Sequence, residues 1–105
     1  MLRIHDVMLG VIRCMRPLIV AIERCDTSLA RQLKASASSV TLNIAEGSGS
    51  SGGTRRERYR NALGSARETM SNLQTAEAFG YIGALPADVV AGMNQVIGTL
   101  VRVTR

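Results

Sequence analysis

Apolar residues recur every three to four positions along four stretches of the chain, and this spacing is typical of amphipathic α-helices. The first stretch covers residues 2–24, and its apolar positions are Ile4, Val7, Met8, Val11, Ile12, Met15, Ile19 and Ile22. Pro17 lies inside this stretch and removes one backbone donor, which kinks or breaks a helix. Because the apolar positions keep their phase through Ile22, we predict one helix with a kink near residues 14–17 rather than two helices.

A second helix is predicted to begin at Asp26, Thr27 or Ser28, since all three residue types cap helix N-termini well. Its inward positions are Leu29, Leu33, Ser36, Ala37, Val40 and Ile44. Small residues dominate positions 35–39, which predicts a face that a neighbouring helix can approach closely. Gly47 is predicted to end this helix in the left-handed conformation that glycine adopts readily.

Residues 47–53 are all glycine or serine, and this composition predicts a flexible loop before the third helix. Thr54 and Glu57 have the spacing of a capping box, so the third helix is predicted to start at Thr54. It is expected to end at Gly80, with inward positions at Tyr59, Ala62, Leu63, Ala66, Met70, Leu73 and Ala76. Pro86 suits the first turn of a fourth helix, whose inward positions are Val89, Val90, Met93, Val96, Ile97, Leu100 and Val101.

Four amphipathic helices with short connections predict an all-α fold, an antiparallel up-down four-helix bundle. No stretch shows the alternating pattern of a strand, and no internal repeat is visible. At 105 residues the chain has room for a single core, so residues 1–105 are predicted to form one domain. Only 3% of the residues are aromatic, so Leu, Ile, Val, Met and Ala must fill most of that core.

The chain carries a formal charge of +5, and every basic residue except Lys34 is an arginine. Arginine makes bidentate contacts with phosphate, so this excess fits a polyanionic partner, although an ordinary solvated surface explains it equally well. The densest basic cluster lies at the predicted start of the third helix and comprises Arg55, Arg56, Arg58 and Arg60. Cations there oppose the helix dipole at a cost of about 0.3–1 kcal/mol each, which favours a bound anion or carboxylates of another subunit. A plain solvated helix face is the alternative, and Arg31 and Lys34 are candidates to extend a nucleic-acid-binding patch.

No catalytic or metal-binding constellation is visible in the sequence. The glycine–serine stretch lacks the G-x-x-x-x-G-K-[ST] pattern of a phosphate loop, and no strand precedes it. His5 is the only histidine, and no E-x-x-H pair marks a di-metal bundle. Cys14 and Cys25 are predicted to be small buried residues of a protein in a reducing compartment. We therefore expect a protein that is not an enzyme and that binds no metal and no cofactor.

The hydropathy pattern also indicates where in the cell the protein is located. No apolar run approaches the ~20 residues needed to span a bilayer. Arg3, Asp6 and Arg13 interrupt any apolar core of a signal peptide near the N-terminus. We expect a soluble, cytoplasmic protein with no membrane partner.

Asn43 and Glu46 flank the inward position Ile44, so at least one of them should face a neighbouring helix. A buried amide or carboxylate needs hydrogen-bond partners, and the candidates on the third helix are Ser65, Arg67 and Glu68. A polar network that fixes the register of the helices is the favoured interpretation, and a ligand-binding role is the alternative.

Two segments resemble a known family: residues 32–47, which include Asn43-Ile44-Ala45-Glu46-Gly47, and residues 58–68, which include Ala62-Leu63-Gly64-Ser65. They resemble the four-helix-bundle proteins encoded in ribosomal-RNA intervening sequences, a family related to the accessory variability determinant of diversity-generating retroelements. The resemblance covers about residues 5–100. Its motif positions in this chain are Asn43, Glu46, Gly47, Ser65 and Glu68, and we interpret them as structural.

The resemblance implies an antiparallel four-helix bundle that assembles into a five-fold ring. The retroelement relatives are basic, bind nucleic acid and contact a reverse transcriptase, whereas many other members have no established function. This chain differs from the family pattern after Gly47, because residues 48–53 carry no charge.

Two functional hypotheses arise from these observations. The first is a non-catalytic nucleic-acid-binding accessory protein, a homo-oligomeric ring of five copies that binds RNA or DNA phosphates through the arginines at positions 55, 56, 58 and 60. The second is an oligomeric scaffold with no nucleic-acid role, whose ring presents a surface to a protein partner such as a reverse transcriptase and whose arginines serve subunit contacts. Tyr59 is expected to pack in the core rather than to stack on a base.

Overall fold

The computed structural model describes residues 3–105, and this part of the chain folds into four helices without a strand. The helices are α1 (Ile4–Cys25), α2 (Thr27–Ser48), α3 (Gly52–Ala78) and α4 (Ala87–Val103). Each helix packs against two others, because α1 and α3 both border α2 and α4. The predicted all-α four-helix bundle is confirmed. The predicted start of the first helix at Leu2 lies outside the described residues.

Neighbouring helices run antiparallel, as side-chain contacts between them show. Ser36 meets Thr69 and Ser39 meets Ser65, so residue numbers rise along α2 as they fall along α3. Between α1 and α4, Cys14 contacts Asp88, and Gly92 lies against Val11 and Val7. The chain therefore runs up and down through the four helices in sequence order.

α1 continues through Pro17 without a break, in agreement with the constant phase of its apolar positions. Its buried residues are Ile4, Met8, Val11, Met15 and Ile22. Asp26 alone joins α1 to α2, and its Oδ1 accepts a hydrogen bond of 2.9 Å from the Leu29 amide. Asp26 is thus the N-cap of α2, one of the three residues predicted for that position.

The connection between α2 and α3 is shorter than the sequence predicted. α2 continues to Ser48 and α3 begins at Gly52, so only residues 49–51 lie between the helices. The capping-box prediction is wrong, because Ser51 is the N-cap and Thr54 already lies inside α3. Gly52 has a φ of +58°, and this left-handed conformation turns the chain into α3 two residues before Thr54.

Gly47 is helical and buried, so the prediction that it ends α2 in a left-handed conformation is wrong. A Cβ atom at this position would lie 2.6 Å from Cδ1 of Tyr59 and closer still to its Cε1. The Tyr59 ring is only 5% exposed, because it packs directly on the backbone of α2. Glycine is therefore needed here for space and not for a turn.

The core consists of apolar side chains from all four helices, and Tyr59 is the one fully buried aromatic residue among residues 3–105. Cys14 and Cys25 are both exposed, so the prediction that they are buried is wrong. Both fall out of phase with the apolar face of α1, since Cys14 lies between the buried Val11 and Met15 and Cys25 ends the helix.

The segment between α3 and α4 packs Tyr81, Ile82 and Leu85 against the core. Gly80 has a φ of +78° and ends the third helix where the sequence predicted. Pro86 is the N-cap of α4, one position before the first-turn place predicted for it.

Candidate nucleic-acid interface

Basic side chains collect at the end of the bundle where α3 begins and α4 ends. Arg55, Arg56, Arg58 and Arg60 lie in the first three turns of α3, and all four are exposed. Arg102 lies in the last turn of α4, next to Val103. Val103 lines the same cavity as Arg55 and Arg56, so the tertiary fold brings the end of α4 to the start of α3. The Arg102 guanidinium instead donates to Thr99 Oγ1 within α4 at 3.1 Å, so the four arginines of α3, with Val103 beside them, are called the basic end below.

The cavity at the basic end has a volume of about 370 Å³ and is lined by Gly52, Arg55, Arg56, Tyr59 and Val103. The first residue of α3 therefore contributes to its wall. No side chain caps this helix start, and its first turn contains no acidic residue. The unpaired amides and the positive end of the helix dipole favour an anion at such a place.

The four arginines of α3 have different surroundings. Arg55 donates from Nε to the carbonyl oxygen of Gly47 at 3.1 Å and to that of Ser50 at 2.8 Å. Arg58 forms an ion pair of 3.0 Å between its Nη1 and Oε2 of Glu46. Arg56 and Arg60 have no hydrogen bond or ion pair with any of residues 3–105. Two of the predicted phosphate-binding side chains are thus free, and two are engaged within the protein.

Arg31 and Lys34 lie far from this cluster. Lys34 is paired with Glu23 across α1 and α2 at 3.4 Å. Since Ser36 lies opposite Thr69, Lys34 is level with the part of α3 that follows Thr69. At 1.5 Å per residue this position is roughly 20 Å along the axis from Arg58. The fold therefore does not bring Arg31 and Lys34 into the basic end.

The motif residues on α2 and α3 take part in contacts between these helices. Asn43 donates from Nδ2 to the carbonyl oxygen of Ser39 at 2.9 Å and to its Oγ at 3.1 Å. The Ser39 hydroxyl in turn shares a hydrogen bond of 2.7 Å with the Ser65 hydroxyl on α3. Of the other motif residues, Glu46 reaches α3 through Arg58, Gly47 accommodates Tyr59, and Glu68 is exposed.

A second set of hydrogen bonds between α2 and α3 was not predicted from the sequence, although Ser36 was predicted to be an inward position. Thr69 donates to the Ser36 hydroxyl at 3.0 Å, and Asn72 donates to the same oxygen at 3.3 Å. All three residues are buried, and no buried side-chain nitrogen or oxygen within residues 3–105 lacks a partner. The detectable signal was the spacing of Ser65, Thr69 and Asn72, which places them on the inward face of α3 beside Ala66. The set Ser36, Ser39, Asn43, Ser65, Thr69 and Asn72 is called the polar seam below.

Two titratable groups away from the basic end, Cys14 and Tyr81, have a shifted pKa. The Cys14 thiol donates to Oδ2 of Asp88 at 3.3 Å, and this hydrogen bond, together with desolvation, raises the pKa of the thiol. A raised pKa favours the thiol over the nucleophilic thiolate. Burial, aided by the Asp26 carboxylate that its hydroxyl contacts at 3.3 Å, raises the pKa of Tyr81.

Neither a metal-binding cluster nor a membrane-spanning helix occurs among residues 3–105. No three His, Cys, Asp or Glu side chains of this range come together in an arrangement that could hold a metal ion. Within the same range, none of the four helices combines the length and apolar character needed to cross a membrane.

Comparison with protein families matches the chain to the model of the 23S rRNA-intervening sequence protein family over residues 13–100. The match covers most of the chain, so the protein belongs to this family, and the resemblance seen in the two motif segments is confirmed. Comparison with curated proteins gave no match, and comparison with solved structures gave none either.

Proposed function

We propose that this protein is a non-catalytic accessory protein that binds the phosphate backbone of RNA or DNA through its basic end. The observation that supports this proposal most directly is the pair Arg56 and Arg60. Both side chains are exposed, lie one helical turn apart and have no partner among residues 3–105. Arg56 also lines the cavity at the uncapped start of α3, where the helix dipole adds to the positive charge.

Binding of this kind has a distinct physical character. Contacts to phosphate release counterions from the nucleic acid, so the affinity falls steeply as the salt concentration rises. The basic end shows no exposed aromatic side chain, because Tyr59 is buried and its hydroxyl contacts Ser48 at 3.2 Å. We therefore expect weak sequence preference, since base stacking and base-edge contacts supply specificity.

The test is titration of labelled RNA and labelled duplex DNA with the wild type and two triple variants. One variant replaces Arg56, Arg58 and Arg60 by alanine. The matched variant replaces Arg13, Arg16 and Arg24, which are exposed residues of α1, and therefore loses the same charge. We expect the first variant to lose at least about tenfold in affinity at low salt and the matched variant to lose much less.

One further variant completes this test. Replacement of Arg31 and Lys34 shows whether binding extends along α2. Absence of wild-type binding at low salt would contradict the proposal, and so would equal losses in the two triple variants, which would indicate a response to net charge alone.

A second candidate is an oligomeric scaffold without a nucleic-acid role. It is favoured by three large apolar side chains that are more than half exposed, Val20 at 52%, Leu42 at 62% and Phe79 at 67%. Contiguous apolar patches mark interaction sites whereas single exposed side chains are normal on monomers, so the test measures assembly itself. Under this hypothesis the resemblance to ring-forming relatives implies five copies, which would present a common surface to a protein such as a reverse transcriptase.

The oligomeric state can be measured by light scattering coupled to size-exclusion chromatography. The scaffold hypothesis expects a pentameric mass that Leu42→Gln or Phe79→Ser reduces. Loss of the oligomer in the Arg56, Arg58 and Arg60 triple variant would also favour it, because these arginines would then serve subunit contacts. A monomeric wild type at micromolar concentration would contradict it.

A further inference from the structure

The arginines at the start of α3 differ in what they contact, and this difference suggests different tasks. We infer that Arg56 and Arg60 hold phosphate, whereas Arg55 is a positioning residue that fixes the turn carrying them and Glu46 competes with phosphate for Arg58. This inference rests on the proposed nucleic-acid function and assigns roles within that site.

Arg55 connects the end of one helix to the start of the next. Its Nε donates to the carbonyl of Gly47, in the last turn of α2, and to that of Ser50, in the connection. The Gly47 carbonyl also accepts from the Ser50 amide at 3.1 Å, so Arg55 supplies it with an additional, charged donor. The partial negative charge at a helix C-terminus makes a guanidinium group favourable there. Arg55 therefore caps α2 from α3, and its Nε hydrogen is already used within the protein.

Tyr59 also contacts the last turn of α2. Its ring covers the backbone at Gly47, and its hydroxyl lies 3.2 Å from the Ser48 hydroxyl. With only three residues between the helices, these contacts and the Arg55 hydrogen bonds determine how α3 leaves α2. The direction of the first turns of α3 determines where the side chains of Arg56 and Arg60 project. Arg55 therefore affects phosphate binding indirectly, because it positions Arg56 and Arg60.

Arg58 differs from both Arg55 and the two unpaired arginines, because its guanidinium group forms an ion pair with a carboxylate of the protein. Glu46 lies 3.0 Å away, and the side chains of Arg58 and Glu46 are 45% and 55% exposed. An ion pair this exposed is weak and exchanges readily with other partners. A phosphate must displace Glu46 to reach Arg58, so the wild-type protein gains less from Arg58 than from its two free neighbours.

The salt dependence of the affinity distinguishes these roles. The slope of log K against log salt concentration is proportional to the number of phosphate contacts. For duplex DNA, the slope of log K against log salt changes by about 0.9 for each contact, and for single strands by about 0.7. The experiment uses whichever of duplex DNA and single-stranded RNA the wild type binds more tightly. Each variant is also unfolded in urea without nucleic acid.

We expect Arg56→Ala and Arg60→Ala each to reduce the slope by the value of about one phosphate contact and not to lower the unfolding midpoint, since neither side chain has a partner among residues 3–105 and each opposes the helix dipole. Arg55→Ala should lower the affinity and the unfolding midpoint but keep the wild-type slope. Arg55→Gln retains an N–H donor without the charge, so it should recover part of the midpoint and of the affinity. Glu46→Gln should increase the affinity, and it should make the slope steeper by at most the value of one phosphate contact.

Three results would overturn these assignments. The first is a reduced slope for Arg55→Ala with an unchanged unfolding midpoint, which would make Arg55 a direct phosphate contact. The second is an unchanged slope for both Arg56→Ala and Arg60→Ala while the wild type binds. The third is no effect of Glu46→Gln on binding. If the wild type binds neither probe, the proposed function fails, whereas the capping role of Arg55 is still decided by the unfolding midpoints.

Discussion

The interface between α1 and α4 and the interface between α2 and α3 are built from different kinds of side chain. Large apolar residues fill the first: Met8, Val11 and Met15 from α1, and Val89, Met93 and Val96 from α4. α2 and α3 also bury Leu33, Val40, Ile44 and Leu73, but they add small and polar residues, and the polar seam lies beside Ala37, Ala62 and Ala66. Both interfaces include one close approach, at Gly92 and at Gly47, so the difference is that the α2–α3 interface adds buried hydrogen bonds to its apolar contacts.

Because of this difference, the α1–α4 interface contributes mainly to stability, whereas the α2–α3 interface also fixes the register of its helices. Apolar contacts are non-directional, so the α1–α4 interface stabilises the fold in proportion to the surface that it buries. Hydrogen bonds are directional, and a buried donor without an acceptor costs about 1–3 kcal/mol. A slip of α3 by one turn would separate Thr69 and Asn72 from Ser36, so the polar seam fixes the register of α2 against α3.

The largest effect is expected where apolar volume is removed from the α1–α4 side. Met93 is fully buried, and Met93→Ala should lower the free energy of unfolding by about 2–5 kcal/mol. Met93→Leu conserves volume and should cost less than about 1.5 kcal/mol. Urea denaturation followed by circular dichroism, at one protein concentration, measures both. Similar costs for the two variants would show that this interface does not depend on volume.

The next effect concerns close approach in the α2–α3 interface. Gly47→Ala places a Cβ against the Tyr59 ring and should destabilise the fold by about 1–3 kcal/mol, measured by the same urea denaturation. Gly64→Ala is the matched control, because Gly64 is helical and no atom lies within 4 Å of the place that its added methyl group would occupy. That control should stabilise α3 by about 0.5–1 kcal/mol. A neutral Gly47→Ala variant would mean that the Tyr59 ring can move away freely.

The smallest effect is the coupling within the polar seam. A double-mutant cycle of Ser36→Ala and Asn72→Ala should give a coupling energy of about 0.5–1.5 kcal/mol, since each variant removes the partner of the other. Ser38→Ala is the control, because the exposed Ser38 hydroxyl bonds only within its own helix, and it should change stability by less than about 0.5 kcal/mol. If the stability changes of the two single variants add up to that of the double variant, Ser36 and Asn72 are not energetically coupled.

Most of the fold could be predicted from the sequence, because amphipathic periodicity is a local property. The apolar positions of α1 and α4 predicted both helices and their inward faces correctly. α3 was harder, since Thr69 and Asn72 are polar residues at inward positions. Their burial depends on Ser36, which lies 33 and 36 residues away in the chain.

The candidate site was predicted in part. The arginines at positions 55, 56, 58 and 60 do lie together at the start of α3, as their sequence spacing requires. The sequence could not distinguish Arg55 and Arg58, which contact α2 and the connection, from the unpaired Arg56 and Arg60. It also could not place Val103 beside them or show that Lys34 pairs with Glu23 far from the cluster.

The sequence by itself determined the number of helices, their order and the local concentration of arginine, because each of these depends on residues within a few positions of one another. The tertiary structure alone decided that Gly47 makes room for a ring, that Arg55 caps α2 and that the end of α4 joins the basic end. These features depend on the distance between helices and on their register. Both distance and register are set by packing and hydrogen bonding between residues that are remote in the chain.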